Sequence, residues 1–180
     1  TSVKFFPDYF EFVKDLALVD SSTLLVATSE QRLNGKLSDE LNISGTPFKV
    51  HYMVCNTIFT GKQFIYSGGW NNNVQLNDKN TFLPVGELTD IFEAQNAADV
   101  RIRDVSIDKN ENLWIAGQHG LCIIDREKRK WFPEGEFQNT DIADLNWIND
   151  SSAALLSAKG FYLLTMQQTP PYAKVKSFTE

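Results

Sequence analysis

Lys4-Phe5-Phe6-Pro7-Asp8, followed by Val13-Lys14-Asp15-Leu16-Ala17-Leu18, returns later in the chain as Lys130-Trp131-Phe132-Pro133-Glu134, followed by Ile142-Ala143-Asp144-Leu145-Asn146-Trp147. In both places an aromatic-Pro-acid corner leads into an alternating run that carries an Asp. The second half occurs again as Ile102-Arg103-Asp104-Val105-Ser106-Ile107 and, more divergently, as Tyr52-Met53-Val54-Cys55-Asn56-Thr57-Ile58. Anchored on Asp15, Cys55, Asp104 and Asp144, the spacings are 40, 49 and 40 residues.

A period near 40 is that of one four-stranded blade of a β-propeller. The rest of each repeat fits such a blade. Nine residues after each anchor a second apolar run begins: Leu24-Leu25-Val26-Ala27, Phe64-Ile65-Tyr66-Ser67, Leu113-Trp114-Ile115-Ala116 and Ala153-Ala154-Leu155-Leu156. These runs are apolar at successive positions, as a strand sandwiched between two neighbouring sheets requires. Turn formers separate the first and second runs: Asp20-Ser21-Ser22, Thr60-Gly61-Lys62, Asp108-Lys109-Asn110 and Asp150-Ser151-Ser152. A third strand is clearest at Leu121-Cys122-Ile123-Ile124 and Phe161-Tyr162-Leu163-Leu164. Shorter, more charged outer strands are expected at Phe48-Lys49-Val50, Thr81-Phe82-Leu83, Lys130-Trp131-Phe132 and Val175-Lys176-Ser177-Phe178.

The expected fold is therefore all-β: a propeller-type array of about four four-stranded antiparallel blades, over 13–50, 51–84, 100–133 and 142–178. Residues 1–12 read as the outer strand of a preceding blade, 85–99 as an inter-blade insertion, and 35–45 as a loop. The best helical stretch, Leu88 to Ala98, falls in that insertion. Counting Lys4-Phe5-Phe6, there are five outer strands for four sets of inner ones, which suggests a piece cut from a larger propeller. The start at Thr1 rather than Met agrees with that, and no signal-peptide pattern opens the chain.

Composition narrows the function. The chain has 180 residues, 42% hydrophobic and 22% charged, with 13 Phe, 5 Tyr and 4 Trp. Aromatics favour strands. The net charge is −6 with a pI near 5.0, and the densest basic run, Arg126 to Lys130, contains Glu127. Nucleic acid is not an expected partner. No apolar run approaches the length of a bilayer span, so direct membrane insertion is not expected. Cys55 and Cys122 lie in apolar runs and read as buried thiols.

Catalytic signatures are missing. There are two histidines, His51 and His119, and no Cys/His spacing for zinc. No phosphate-cradling glycine loop or nucleophile elbow occurs, and nothing calls for a cofactor. The recurring Asp residues read as hairpin hydrogen-bond acceptors. Trp114 and Trp147 read as core between blades. No enzyme is expected.

Candidate binding residues lie in the loops between second and third strands, which gather on one face of a propeller. They are Glu30 and Gln31, then Trp70, Asn71, Asn72 and Asn73, then Gln118 and His119, then Lys159. Sugar recognition uses an aromatic plate for the ring face and planar amides for the hydroxyls, and Trp70 with three Asn could supply both. The same stretch also reads simply as a turn, since Asn tolerates positive φ.

The third repeat, Val105-Ser106-Ile107-Asp108-Lys109-Asn110-Glu111-Asn112-Leu113-Trp114-Ile115-Ala116 with Gly117, Gly120, Leu121 and Asp125, resembles the two-component regulator propeller repeat. That family's pattern is an apolar strand, Asp, a turn, Leu-Trp-Ile-Gly-Thr, and a Gly-Leu pair. This chain departs at Ala116-Gly117, and its other three repeats lack the Trp. The resemblance implies the periplasmic sensor region of a hybrid two-component system of the Bacteroidetes type. Such a region senses glycan-derived oligosaccharides and signals to a histidine kinase. Expected partners are an oligosaccharide, and further blades of the parent chain or a second copy. The alternative is a free-standing propeller scaffold that binds proteins. WD40 pairs of Gly-His and Trp-Asp are absent, kelch double glycines occur once, at Gly68-Gly69, and the spacing from Ser106-Ile107-Asp108 to Trp114 is one residue too long for a sialidase Asp-box.

Overall fold

The computed structural model describes residues 13–28, 40–43, 46–93, 100–133 and 139–178. All regular structure among them is strand, in four four-stranded sheets that follow one another as propeller blades. The first sheet holds β1 (Val13–Leu18), β2 (Thr23–Thr28), β3 (Glu40–Ile43) and β4 (Thr46–Val54). The second holds β5 (Thr57–Thr60), β6 (Phe64–Gly68), β7 (Val74–Asp78) and β8 (Pro84–Leu88). The third holds β9 (Ile102–Ile107), β10 (Leu113–Gly117), β11 (Gly120–Ile124) and β12 (Lys130–Trp131). The fourth holds β13 (Ile142–Asn149), β14 (Ser152–Ser157), β15 (Gly160–Met166) and β16 (Ala173–Phe178).

Each expected second strand is a strand, β2, β6, β10 and β14, and each expected turn closes the hairpin before it. The turns close for the anticipated reason. Asp20 Oδ1 accepts from the Ser22 N–H, Asp108 Oδ1 from Asn110 and Asn112 N–H, and Asn149 Oδ1 from Ser151 N–H. Alternate residues of each middle strand face opposite neighbours. Leu25 and Ala27 pack on Ile58 and Ile65 of the second sheet. Phe59, Tyr66 and Val74 pack on Val105, Leu113, Ile115 and Cys122 of the third. Trp114, Ala116 and Ile123 pack on Leu145, Leu155, Tyr162 and Leu164 of the fourth. Trp114 is fully buried, edge-on to Trp147 at 5.1 Å. Burying such side chains is worth roughly 2–3 kcal/mol each, which makes these three interfaces the core.

The structure corrects several expected strands. The outer strand of the second sheet is Pro84–Leu88, not Thr81-Phe82-Leu83. There Phe82 takes φ 62° and donates its N–H to Asp78 O at 2.9 Å, so the segment is the turn before the strand. The expected loop at 35–45 contains β3, and Phe48-Lys49-Val50 lies within the longer β4. β4 runs parallel to β2, Thr23 opposite Lys49 and Thr28 opposite Val54, so the first sheet is not the antiparallel meander expected. A parallel neighbour needs a long crossover, and the segment between β2 and β4 is long enough to supply one.

Tyr52-Met53-Val54 consequently belongs to the first sheet, and the second begins only at Thr57, after a bend at Cys55 and Asn56. Cys55 is thus not the counterpart of Asp15 and Asp104. The outer strand expected at 4–6 and residues 94–98 of the expected helical stretch lie outside the described residues; the described part, 88–93, is not helical, since Leu88 ends β8 and the backbone after it forms no regular element.

Candidate functional site

Two places concentrate polar groups: the propeller axis and the face carrying the β6–β7 and β10–β11 turns.

At the axis the first strands lie side by side, and their Asp residues tie one blade to the next. Asp15 Oδ1 accepts from its own Leu16 N–H at 2.7 Å, while Oδ2 accepts from Ile58 N–H of the second sheet at 2.9 Å. Asp104 repeats the geometry, with Oδ1 accepting from Val105 N–H at 2.7 Å and Oδ2 from Leu145 N–H of the fourth sheet at 2.9 Å. Thr57 stands between them and donates to Asp15 Oδ2 at 3.0 Å, with Asp104 Oδ1 at 3.4 Å. Burial lifts the Asp104 carboxyl to about 7. The Leu145 and Val105 N–H groups pull it down, and the charges of Asp144 and Asp15 add to the rise. A half-buried carboxylate that bridges two backbone segments is scaffolding. Asp144 holds the same register, opposite Leu156 as Asp104 is opposite Ala116. It lies exposed, and its Oδ2 accepts from Asn146 Nδ2 of its own strand.

The turn carboxylates have an equally structural task. Asp108, 6% exposed, accepts from two backbone N–H groups, from Asn112 Nδ2 and from the Trp114 indole at 3.1 Å. Asp125 accepts from the Trp131 indole, Arg129 Nε, and the N–H groups of Glu127 and Arg129. Burial opposes its charge, but these donors outweigh that and bring its carboxyl to about 2. Both Asp–Trp pairs are six residues apart. Cys55 and Cys122 are free, buried thiols, pushed up to about 12 by desolvation, and so unsuited to nucleophilic work. Among the described residues no group of three or more His, Cys, Asp or Glu is placed to hold a metal ion, and no helix is long and apolar enough to cross a membrane.

The second place contains most of the loop residues singled out from the sequence. Trp70 is 48% exposed, and the Arg101 guanidinium lies 3.7 Å from its ring centroid. Arg101 donates its backbone N–H to Gln118 Oε1 at 2.9 Å and accepts from Gln118 N–H at 3.2 Å. His119 follows, its ring 6.3 Å from Phe92. This close approach depends on Gly117, where a Cβ would stand 2.7 Å from Arg101 O and 2.9 Å from Phe92 Cε2.

Trp70 and Gln118 are thus joined through Arg101, which the repeat pattern does not mark, while His119, next in the chain, lies against Phe92. The only signal for Arg101 was an Arg just ahead of a first strand. The Arg101 Nε is buried without a hydrogen-bond partner among the described residues.

The three asparagines divide. Asn71 and Asn72 adopt positive φ, as the turn reading anticipated. Asn72 is 1% exposed and fully occupied: Nδ2 donates to Phe92 O, Oδ1 accepts from Phe92 N–H, and its backbone bonds Val100 and Ile91. It pins the insertion and offers a ligand nothing. Asn73 Nδ2 donates to Glu87 Oε1. Lys159 sits in the β14–β15 turn with its N–H on Ser157 Oγ, joined to the others by no hydrogen bond or ion pair among the described residues. Glu30 and Gln31 lie outside the described residues.

No protein-family model matches the chain, and no curated protein matches it in sequence. Solved structures do match. One is the extracellular domain of BT4673, a B. thetaiotaomicron protein assigned to the hybrid two-component systems, with a TM-score of 0.58 and 13% identity over 92% of this chain and 22% of that one. The corresponding domain of BT3049 from the same organism gives 0.57 and 14%, over 93% and 22%. PorZ, a surface component of the type-IX secretion system of Porphyromonas gingivalis, gives 0.54 and 15%, over 93% and 21%. The chain spans about a fifth of the length of each. Extracellular domains of hybrid two-component systems are thus among its structural neighbours, the class that the third-repeat motif resembles. At this identity the likeness is one of fold: four consecutive blades of a β-propeller.

Proposed function

We propose that this chain is a segment of an extracytoplasmic sensor propeller that contacts a glycan-derived oligosaccharide through the Trp70 face. The observation that carries this reading is Trp70 itself. A large aromatic ring stands half exposed and backed by the Arg101 guanidinium, and Arg101 in turn bonds Gln118, with His119 next in the same turn. An exposed indole supplies a flat apolar plate for a sugar ring, and the neighbouring amide and imidazole supply hydrogen bonds to hydroxyls. Placement in the periplasm, and coupling to a kinase, belong to the same proposal.

The test is a titration of the purified chain with a panel of neutral and acidic oligosaccharides, followed by intrinsic tryptophan fluorescence and calorimetry. A binder from the panel should lose about tenfold or more in affinity in Trp70→Ala, as expected for losing a contact worth about 1.4 kcal/mol. Unchanged affinity in Trp70→Ala, or no saturable binding by any panel member, refutes the site.

A second element of the reading concerns the sheet ends. Asp15 and Asp104 each face the blade that follows, yet no blade follows that of Asp144 among the described residues. Beside it Leu156, 52% exposed, pairs with exposed Phe161, and Ile148 is exposed on the same strand as Asp144. Such a patch favours stacking on a further blade of the parent protein, or on another copy of the chain. Placing it against a protein partner instead is the scaffold alternative. Sedimentation of wild type against Leu156→Glu separates the cases: concentration-dependent dimers lost in the variant indicate a copy, and monomers in both leave the further blade.

A further inference from the structure

On the face opposite Trp70, a cleft of about 470 Å³ opens between the first two sheets. It is lined by the β1–β2 turn (Val19, Asp20 and Thr23), by Lys49 and His51 of β4, and by Lys79, Asn80 and Phe82 of the β7–β8 turn. Two lysines of a molecule of net charge −6 thereby line one cleft from different sheets. Lys79 Nζ donates to Gly61 O at 3.2 Å, which positions it while leaving two donors. Neither Lys49 nor Lys79 enters an ion pair among the described residues. Among the described residues the one carboxylate lining the cleft, Asp20, is committed to its own turn, accepting from both the N–H and the Oγ–H of Ser22.

The wall of the cleft is aromatic. His51 stacks on Phe82 with centroids 4.0 Å apart and planes 21° apart. Its Nε2 is buried and has no hydrogen-bond partner among the described residues, an unmet polar atom of the kind that native structures otherwise pair. Thr23 and Asn80 add neutral hydrogen-bonding groups at the rim.

From these residues we infer that the cleft is a second binding site, specific for a small hydrophilic ligand that carries a carboxylate or sulfate group. Lys49 and Lys79 hold the oxyanion, and the His51–Phe82 stack forms the wall against which the rest of the ligand lies. Two cations lining one recess hold an oxyanion more strongly than either alone, and because Lys49 is exposed the attraction is screened by salt. The inference does not depend on the Trp70 reading. β7 runs from Val74 beside the Trp70 turn to Asp78 beside Lys79, so the two sites stand at opposite ends of that strand.

The experiment is a heteronuclear NMR titration of the whole chain with sodium sulfate, glucuronate and glucose, each to about 10 mM, a range that detects dissociation constants in the millimolar region. The expected result is saturable shifts confined to Thr23, Lys49, His51, Lys79 and Asn80, given by glucuronate and not by glucose. The Lys49→Gln/Lys79→Gln variant should weaken binding by about a hundredfold, and raising the salt should weaken the wild type too. Glucuronate binding with sulfate inert marks an acidic sugar as the ligand, and equal binding of both marks recognition of the oxyanion alone. Equal shifts with glucose, no saturable shift with either anion, or unchanged affinity in a variant whose unfolding transition matches wild type each overturn the inference. Trp70→Ala should leave this titration unchanged, so that the two sites fail or stand separately.

Discussion

Asp104 makes folding stability depend on pH in a direction opposite to that of most carboxylates. Its carboxyl is raised from 3.8 to about 7, chiefly by burial between the third and fourth sheets. A raised folded pKa means that, between pH 4 and 7, the folded chain holds a proton which the unfolded chain has released. Stability is therefore fully present below pH 4, falls as pH rises, and levels off above pH 7. A shift of about 3 pH units at about 1.4 kcal/mol per unit sets the loss at about 4 kcal/mol. That is a large share of the roughly 5–15 kcal/mol of an ordinary domain. Asp20, Asp78, Asp125 and Glu111 are shifted downward. Their contributions are present above their unfolded values and lost as pH falls below about 4, so they leave the window between pH 5 and 7 to Asp104.

The perturbation is Asp104→Asn. The amide carries no charge to desolvate, but its NH2 cannot accept from the Leu145 or Val105 N–H, and one lost hydrogen bond costs about 1 kcal/mol. The variant should be less stable than wild type by about 1 kcal/mol at pH 4.5 and more stable by about 2–3 kcal/mol at pH 8, with the two curves crossing between. Urea unfolding followed by tryptophan fluorescence at half-unit pH steps measures both curves. A wild-type stability that is flat or rising from pH 5 to 7, or an Asn variant with the same slope, refutes the reasoning.

Two further substitutions test the scaffold. Asp108→Ala strands the indole N–H of fully buried Trp114 and frees the β9–β10 turn, and should cost about 2–4 kcal/mol in chemical unfolding. Asp108→Asn keeps one accepting oxygen for the turn N–H groups but sets its NH2 against the Trp114 and Asn112 donors, and should recover only part of the loss. Gly68→Ala would drive a Cβ into Ile102 Cγ2 and to 3.0 Å from Thr57 Cγ2, at the contact between second and third sheets. Overpacking there should cost about 1–3 kcal/mol and lower the melting temperature by several degrees, and a neutral result would show that β6 and β9 can move apart.

The sequence by itself determined what depends on local chemistry. Short runs apolar at successive positions and bounded by turn formers, such as Leu113-Trp114-Ile115-Ala116, read as strands buried on both faces. Asp-containing turns such as Asp108-Lys109-Asn110 can only close hairpins, because the side chain bonds the backbone two residues on. Repetition of those units every 40 residues then specified a propeller. The recurrence of Asp15 and Asp104 at one repeat position was visible too, but their expected task was within hairpins, and only the structure shows them bonding the next blade.

Tertiary structure decided what depends on partners distant in the chain. That β4 lies parallel to β2, and that Thr57 rather than Cys55 faces the axial Asp residues, follows from a crossover whose end point no local pattern specifies. Phe82 looked like a strand residue because its hydropathy suits a strand, but the Asp78 turn holds it at positive φ. The partner of Trp70 is Arg101, thirty-one residues later, and the cleft joins Lys49 to Lys79 across two sheets. Charges so far apart in sequence carry no periodic signal. Packing alone sets the distance between them, and that distance decides whether they form a site.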